Sequence, residues 1–308
     1  MKKKLVIAGG TSFIARNLIK ELSLENYEIT SLVRKRTHLQ EREGVNYISL
    51  SMQDYNTIDK YISKCDCYIP FTWNGTKRAE RNNRQKNEES YRCILDSIQI
   101  LIEKCGCTKI ILPGSFLEYK NQHVPIDEET ICDSELEYGR YKYKLYEEAY
   151  KLCVRKGVKL VETRLFGVYG EEDNEEKMLN QIMKRMLRNE EIRLTRGEQI
   201  WNFLYISDVV NVFRELIEKD VESGCYNIAA NEHRTLKSYI EEMKKITESK
   251  SNLVFGAVSY GTDVIPHMIC ITDKIREAID WAPEVTFSEG IKRMQYYYKR
   301  IETGGDRK

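Results

Sequence analysis

The chain has 308 residues, of which 41% are hydrophobic and 31% charged, with 49 basic residues against 48 acidic ones. This composition is that of a folded globular chain with a sizeable core, and its charge balance excludes a whole-molecule field that would draw it to nucleic acid or an anionic bilayer. No run approaches the roughly 18 to 20 apolar residues of a membrane span, and Met1-Lys2-Lys3-Lys4 leads straight into a strand pattern. The expectation is a cytoplasmic protein with no membrane and no nucleic-acid partner.

The first predicted strand, Lys4–Ala8, runs into Gly9-Gly10-Thr11-Ser12-Phe13-Ile14-Ala15-Arg16, where a tight turn opens a helix from about Phe13 to Ser23. Backbone amides and the positive helix end suit a phosphate at such a place. Gly9 supplies the turn, while Ser12 and Ala15 stand where glycines would give the closest approach. The second strand, Glu28–Val33, ends in Arg34-Lys35-Arg36. An acid there would hold ribose hydroxyls and a base would accept a 2′-phosphate, so three cations favour NADP(H) over NAD(H), a solvated basic loop being the plain alternative.

Further strands are predicted at Val45–Leu50, Cys67–Phe71, Lys109–Leu112 and Lys159–Arg164, with helices over Arg78–Cys105 and Tyr138–Lys156 between them. This alternation predicts an α/β fold, a Rossmann-type doubly wound parallel sheet over residues 1–168. Beyond it the pattern breaks into an acidic loop, a basic amphipathic helix to about Arg188, a strand around Trp201–Tyr205 and a helix Val209–Lys219 capped by Ser207-Asp208. A strand Cys225–Ile228, a helix from about Leu236 to Ser249 and a last helix from Phe287 to about Thr303 complete it. Residues 169–308 are read as a smaller substrate-binding subdomain, the segments near 201–220 and 262–275 packing back on the first domain to form one wall of a cleft.

Nine cysteines, an odd number, read as free thiols. The pairs Cys65/Cys67 and Cys105/Cys107 each precede a strand and meet at one sheet end if the strands are neighbours, but their spacing is not the usual metal pattern. No metal is expected.

Tyr138 and Lys142 are four residues apart on a predicted helix, which places a phenol beside an ammonium. A cation about 5 Å away at an effective dielectric of about 20 favours phenolate by roughly 3 kcal/mol, or about two pK units. Ser115, at the end of the fifth strand, is placed to reach a substrate oxygen beside that phenol. Together with the glycine loop, these residues stand in the order that hydride chemistry needs. Trp73 and the basic residues from Lys77 to Arg84 leave the fourth strand toward the same cleft, where cations hold phosphate and the indole stacks on a base or sugar, or else simply form an exposed helix start.

In this order the matches resemble the extended branch of the short-chain dehydrogenase/reductase superfamily, which comprises nucleotide-sugar epimerases, dehydratases and ketoreductases. The likeness covers nearly the whole chain. The family's glycine motif falls on Gly9 to Ala15, its adenine-side acid on Asp54, its helix start on Asn87-Glu88-Glu89-Ser90-Tyr91, and its Tyr-Gly-x-Ser-Lys motif on Tyr138-Gly139-Arg140-Tyr141-Lys142. Arg164-Leu165-Phe166-Gly167-Val168-Tyr169-Gly170 and Tyr226-Asn227-Ile228 look like its later signatures. The resemblance implies catalysis by Ser115, Tyr138 and Lys142. It implies a dinucleotide held by Gly9, Gly10, Thr11, Ser12, Phe13 and Ile14, by Arg34, Lys35 and Asp54, by Phe71, Thr72 and Asn87, and by Tyr138 and Lys142. Trp73, Arg84, Ser115 and Trp201 are the substrate-side candidates, and a homodimer through the two long helices is implied as well.

The departures narrow the reading. Phe116 and Leu117 stand where 4,6-dehydratases have an Asp-Glu pair, Trp201 replaces an arginine that holds the substrate diphosphate, and a second arginine is missing near Ser259-Tyr260-Gly261. The expectation is a ketoreductase acting on a nucleotide-linked deoxysugar, the alternatives being an NAD-dependent epimerase and a non-catalytic NADP(H)-binding relative.

Overall fold

The structure is a computed structural model that describes residues 1–36, 41–121, 124–260 and 267–302. In chain order the first half comprises β1 (Lys3–Ala8), α1 (Phe13–Glu21), β2 (Tyr27–Val33), β3 (Asn46–Ser49), β4 (Cys67–Pro70), α2 (Arg84–Cys105), β5 (Lys109–Ser115), α3 (Glu137–Lys156) and β6 (Lys159–Leu165). The second half comprises β7 (Val168–Tyr169), α4 (Met178–Leu187), β8 (Ile192–Leu194), β9 (Ile200–Trp201), β10 (Leu204–Tyr205), α5 (Ile206–Glu218), β11 (Gly224–Ile228), β12 (Arg234–Thr235), α6 (Leu236–Thr247), β13 (Leu253–Phe255), α7 (Asp273–Ile279) and α8 (Phe287–Glu302).

Seven strands form one parallel sheet in the order β11-β6-β5-β4-β1-β2-β3. Its strands are apolar on both faces because helices cover both. Along β1 the side chains alternate: Leu5 and Ile7 enter a core with Leu18 of α1 and Phe213 of α5, whereas Val6 and Ala8 enter a second core with Ile94 and Ile98 of α2 and Leu145 of α3. α2 and α3 stop at Gly106 and Gly157, whose φ angles of 67° and 65° suit the left-handed cap that glycine adopts without strain.

The seventh strand comes from beyond residue 168: β11 pairs with β6, and α5 before it packs on α1. The remaining second half makes three two-stranded pairs, β7 with β10, β8 with β13 and β9 with β12, under α4, α6 and α8.

Three expectations need correction. The helix predicted from Arg78 begins at Arg84, because the Asn83 side chain caps it by accepting from the Lys86 amide at 3.1 Å, and Arg78–Glu80 is an isolated tight turn. The strand around Trp201–Tyr205 is two strands in different pairs, split where the Asn202 amide leaves to bond the Ala230 and Glu232 carbonyls. α5 starts at Ile206, so Asp208 is inside its first turn, where it accepts from the Glu284 and Val285 amides at 3.1 Å each instead of capping the helix.

Candidate active site

The loop between β1 and α1 is held at the carboxyl ends of the sheet. Gly9, at φ 75°, approaches the segment that follows β4 so closely that a Cβ would lie 2.8 Å from Thr72 Oγ1, and a Cβ on Gly10 would lie 1.9 Å from Ser31 Oγ. Ser12 caps α1 by accepting from the Ala15 amide at 3.4 Å, which leaves Thr11, Phe13 and Ile14 around an open helix end. The buried Ser31 hydroxyl beneath Gly10 has no hydrogen-bond partner among the described residues. Arg34 and Lys35 are exposed just past β2, and Asp54 is exposed across the same end of the sheet. Phe71 packs on Phe213 at 4.9 Å between ring centres, and the Thr72 hydroxyl is 2.9 Å from that of Tyr55. These residues fit a dinucleotide: glycines where a side chain would meet close neighbours, the N-terminal turn of α1, and a charged strand end beyond them.

Ser115, Tyr138, Lys142 and Trp73 converge at the ends of β5, α3 and β4. Lys142 is buried, and its Nζ donates to the Pro113 carbonyl at 2.7 Å while lying 4.3 Å from the centre of the Trp73 ring. The Trp73 ring meets that of Tyr138 edge-on at 6.0 Å, and its indole N–H donates to Asn87 Oδ1 at 2.9 Å. Asn87 in turn donates to the carbonyls of Arg81 and Asn83, and the Arg81 carbonyl also accepts from the Tyr138 amide at 2.9 Å. The loop after β4 is thus tied to the start of α3 through one buried amide.

Loss of water around the half-buried Tyr138 pushes its phenol up to about 12, the negative charge of Glu118 adds to this, and Arg81 and the Ser115 hydroxyl pull it back. Burial lowers Lys142 to about 8, against the pull of Glu118 and Glu162. The geometry therefore differs from a simple phenol–ammonium pair: the ammonium is spent on Pro113, 5.9 Å from the centre of the Tyr138 ring, and the cation that favours phenolate is Arg81. Ser115 Oγ caps the following turn by accepting from the Leu117 amide at 3.2 Å, while the Glu118 carboxylate accepts from the Ser115 amide at 2.6 Å. Glu118 and Arg81 were not singled out from the sequence. Arg81 lay inside the basic stretch after Trp73, whereas Glu118 has no local signal.

Other candidates lie further out. Arg84 is exposed, its Nε 3.3 Å from the Tyr141 hydroxyl. Trp201 packs on Phe203 at 6.2 Å, and its buried indole N–H has no partner among the described residues. A cavity of about 50 Å³ opens beside the strand-end turn, with Phe116, Leu117 and Ile126 on its apolar side and Lys120, Ser134 and Glu135 on its polar side. Gly261 lies outside the described residues. Cys65 and Cys107 do meet, their sulfurs 3.7 Å apart, but among the described residues no three His, Cys, Asp or Glu side chains are grouped to hold a metal.

Residues 5–229 match the model of the NAD dependent epimerase/dehydratase family. CDP-abequose synthase of Salmonella muenchen is 25% identical over 96% of this chain and 97% of its own length, and UDP-N-acetyl-alpha-D-glucosaminuronate decarboxylase of Bacillus cytotoxicus is 22% identical over 98% and 99%. Among solved structures, UDP-glucose 4-epimerase of Thermotoga maritima superposes with a TM-score of 0.86 at 20% identity, covering 97% of this chain and 99% of that one. UDP-N-acetylglucosamine 4-epimerase of Methanobrevibacter ruminantium gives 0.87 at 18% identity over 98% and 100%. With its seven-stranded sheet and its glycine loop, the chain belongs to the NAD-dependent epimerase/dehydratase family and is an enzyme of the extended short-chain dehydrogenase/reductase type.

Proposed function

We propose that the chain is an NADP(H)-linked ketoreductase acting on a nucleotide-linked deoxysugar, with Tyr138 as the proton donor. The observation that carries this reading is the convergence of Ser115, Tyr138 and Lys142 at the strand ends beside the glycine loop: a phenol that is protonated near pH 7 stands beside the Ser115 hydroxyl, with Arg81 drawing its value back down, where it can give a proton to a carbonyl oxygen as a hydride arrives at its carbon. The bound nicotinamide supplies that hydride. Ser115 hydrogen-bonds the reacting oxygen, Lys142 holds the ribose side, and Trp73 keeps water from both. Asn87 fixes the loop that places Trp73 against Tyr138.

Three further features support the reading. Arg34 and Lys35 at the end of β2 suit a 2′-phosphate. Phe116 and Leu117 remove the acid pair that elimination of water would use. The names of the full-length relatives carry CDP- and UDP-linked sugars. Trp201 is inferred to lie on the sugar or base side of that substrate.

The test is consumption of NADPH with keto-sugar nucleotides. One NADPH oxidised per sugar reduced is expected. Tyr138→Phe should cut turnover by about 10²- to 10⁴-fold, the range of general-acid catalysis, with cofactor affinity nearly unchanged. Retained turnover in that variant removes Tyr138 from its role. An epimerase is the second reading, favoured by the NAD dependence of the family, and it would equilibrate two nucleotide sugars with no net oxidation of cofactor.

A further inference from the structure

Beneath Ser115 the sheet buries three charged side chains that the reaction above does not use. Glu118 follows β5, while Glu162 and Arg164 lie on β6, whose register sets Glu162 opposite Leu112 and Arg164 opposite Gly114. The carboxylates are fully buried and the guanidinium is 2% exposed. Arg164 Nε lies 2.9 Å from Glu162 Oε2 and 3.3 Å from Glu118 Oε2. Glu118 Oε1 accepts from the Ser115 amide at 2.6 Å, whereas Glu118 Oε2, Glu162 Oε1 and Arg164 Nη1 have no hydrogen-bond partner among the described residues.

Space around the cluster is tight. A Cβ on Gly114 would come within 2.9 Å of both Glu118 Oε1 and Glu162 Cγ. Arg164 is stacked 4.7 Å from the Tyr119 ring and faces Tyr143 and Tyr146 at 5.9 Å and 5.6 Å. The other titratable groups around it are Lys142 on α3, Cys132 in the loop before α3, and Cys225 on β11. One guanidinium N–H, that of Nε, therefore faces two carboxylates in a dry site, where two full negative charges side by side are strongly disfavoured.

We propose that Glu118 and Glu162 keep one proton between them over Arg164, and that this carboxyl–carboxylate pair is the positioning device of the active site, seating Ser115 and biasing the protonation of Tyr138 and Lys142. Burial raises both glutamates, but Glu118 is the ionised member, because Arg164, the Ser115 amide and Lys142 all draw it back toward the carboxylate. Glu162 keeps the proton, with burial and then the charge of Glu118 pushing it well above the usual carboxylate range while Arg164 pulls the other way. Neither glutamate touches the reacting atoms. Both act through Ser115, Tyr138 and Lys142.

The seating role rests on the proposed chemistry, but the shared proton does not, so the experiment has separate arms. In the wild-type chain labelled with ¹³C at glutamate carboxyl carbons, one glutamate should remain protonated near pH 7, and that signal should vanish in Glu162→Gln. All glutamates ionised near pH 7 would overturn the shared proton. Unfolding by urea between about pH 5 and pH 8 checks the sign. A native value above the unfolded one means stability lost as pH rises, so the difference between wild type and Glu162→Gln should fall with pH, and a flat difference counts against the pair.

The positioning role is read from Lys142 itself, by ¹⁵N labelling of lysine. Because Glu162 would ionise over Arg164 once the Glu118 charge is gone, the decisive variant is Glu118→Gln/Glu162→Gln, which should lower the Lys142 titration by about one pH unit, the scale of a single nearby charge, and shift the pH profile of turnover the same way, whereas Glu162→Gln alone keeps the Glu118 charge and should leave it in place. A Lys142 titration that does not move in the double variant refutes the role. If no nucleotide sugar is turned over at all, the proposed function fails while the glutamate and lysine titrations still decide this inference.

Discussion

The Lys142 ammonium hydrogen-bonds the Pro113 carbonyl at 2.7 Å and lies over the Trp73 ring, 4.3 Å from its centre, so the indole covers the cation. Trp73→Ala should expose the amine, raise its titration from about 8 toward the ordinary 10.5, and remove the edge-on contact with Tyr138. Loss of a cation–π contact of about 0.5 to 2 kcal/mol, together with lost packing, predicts a destabilisation of roughly 2 to 4 kcal/mol in urea unfolding. Trp73→Phe keeps a ring face but loses the bond to Asn87, so it should fall between the two.

Lys142 also gives stability a pH dependence of known sign. Its native value of about 8 lies below the ordinary 10.5, so the unfolded chain binds more protons between these values. The contribution of the neutral amine is fully present above about pH 10.5 and is lost as pH falls through about 8. Tyr138 runs the other way in a higher window: raised to about 12 from 10, it loses its contribution as pH rises through about 12. Wild type minus Lys142→Met should therefore rise from about pH 8 to pH 10, approaching roughly 3 kcal/mol over the full 2.5-unit window. A flat difference in denaturation midpoints would mean that the ammonium is solvated.

Residue spacing made the first half legible because parallel strands covered on both faces are short apolar runs, and the Leu5 to Ala8 run is buried on both sides. That Ser115, Tyr138 and Lys142 come together, their proposed roles apart, was legible because helix period and strand ends are local properties. Glu118 was not: three residues after Ser115, it reads as a turn residue in water, and only the β5–β6 register brings Arg164 and Glu162 onto it. The same holds at Trp201-Asn202-Phe203, an alternating run that reads as one strand until Asn202 finds its partners near residue 230. Long-range polar partners redirected these segments, and pattern reading sees only neighbours.

Gly139, between Tyr138 and the lysine, is a packing requirement. A Cβ there would lie 1.9 Å from the Leu117 carbonyl and 2.3 Å from Ser134 Oγ, so α3 could not rest on the turn that follows Ser115. Gly139→Ala gains about 1 kcal/mol of helix propensity but meets backbone, and overpacking of this kind costs about 1 to 3 kcal/mol, with the helix pushed off the Ser115 turn. Turnover should fall far more than stability. Gly157→Ala is the control: nothing lies within 4 Å of its Cβ, so it should cost about 1 kcal/mol through its left-handed backbone and leave turnover unchanged.

Arg34 and Lys35 test the cofactor preference. Both are exposed past Val33 at the end of β2, on the rim of the glycine loop. A charge-assisted bond to a phosphate contributes about 1.5 to 3 kcal/mol, so Arg34→Ser or Lys35→Ser should weaken NADPH binding by about 10- to 100-fold while changing NADH affinity by less than about twofold. Isothermal titration of each variant with both cofactors separates the cases. An equal loss for the two cofactors would place these cations on the shared diphosphate, and no loss for either would leave them as a solvated loop, in which case the ketoreductase reading loses one of its supports and the epimerase reading gains.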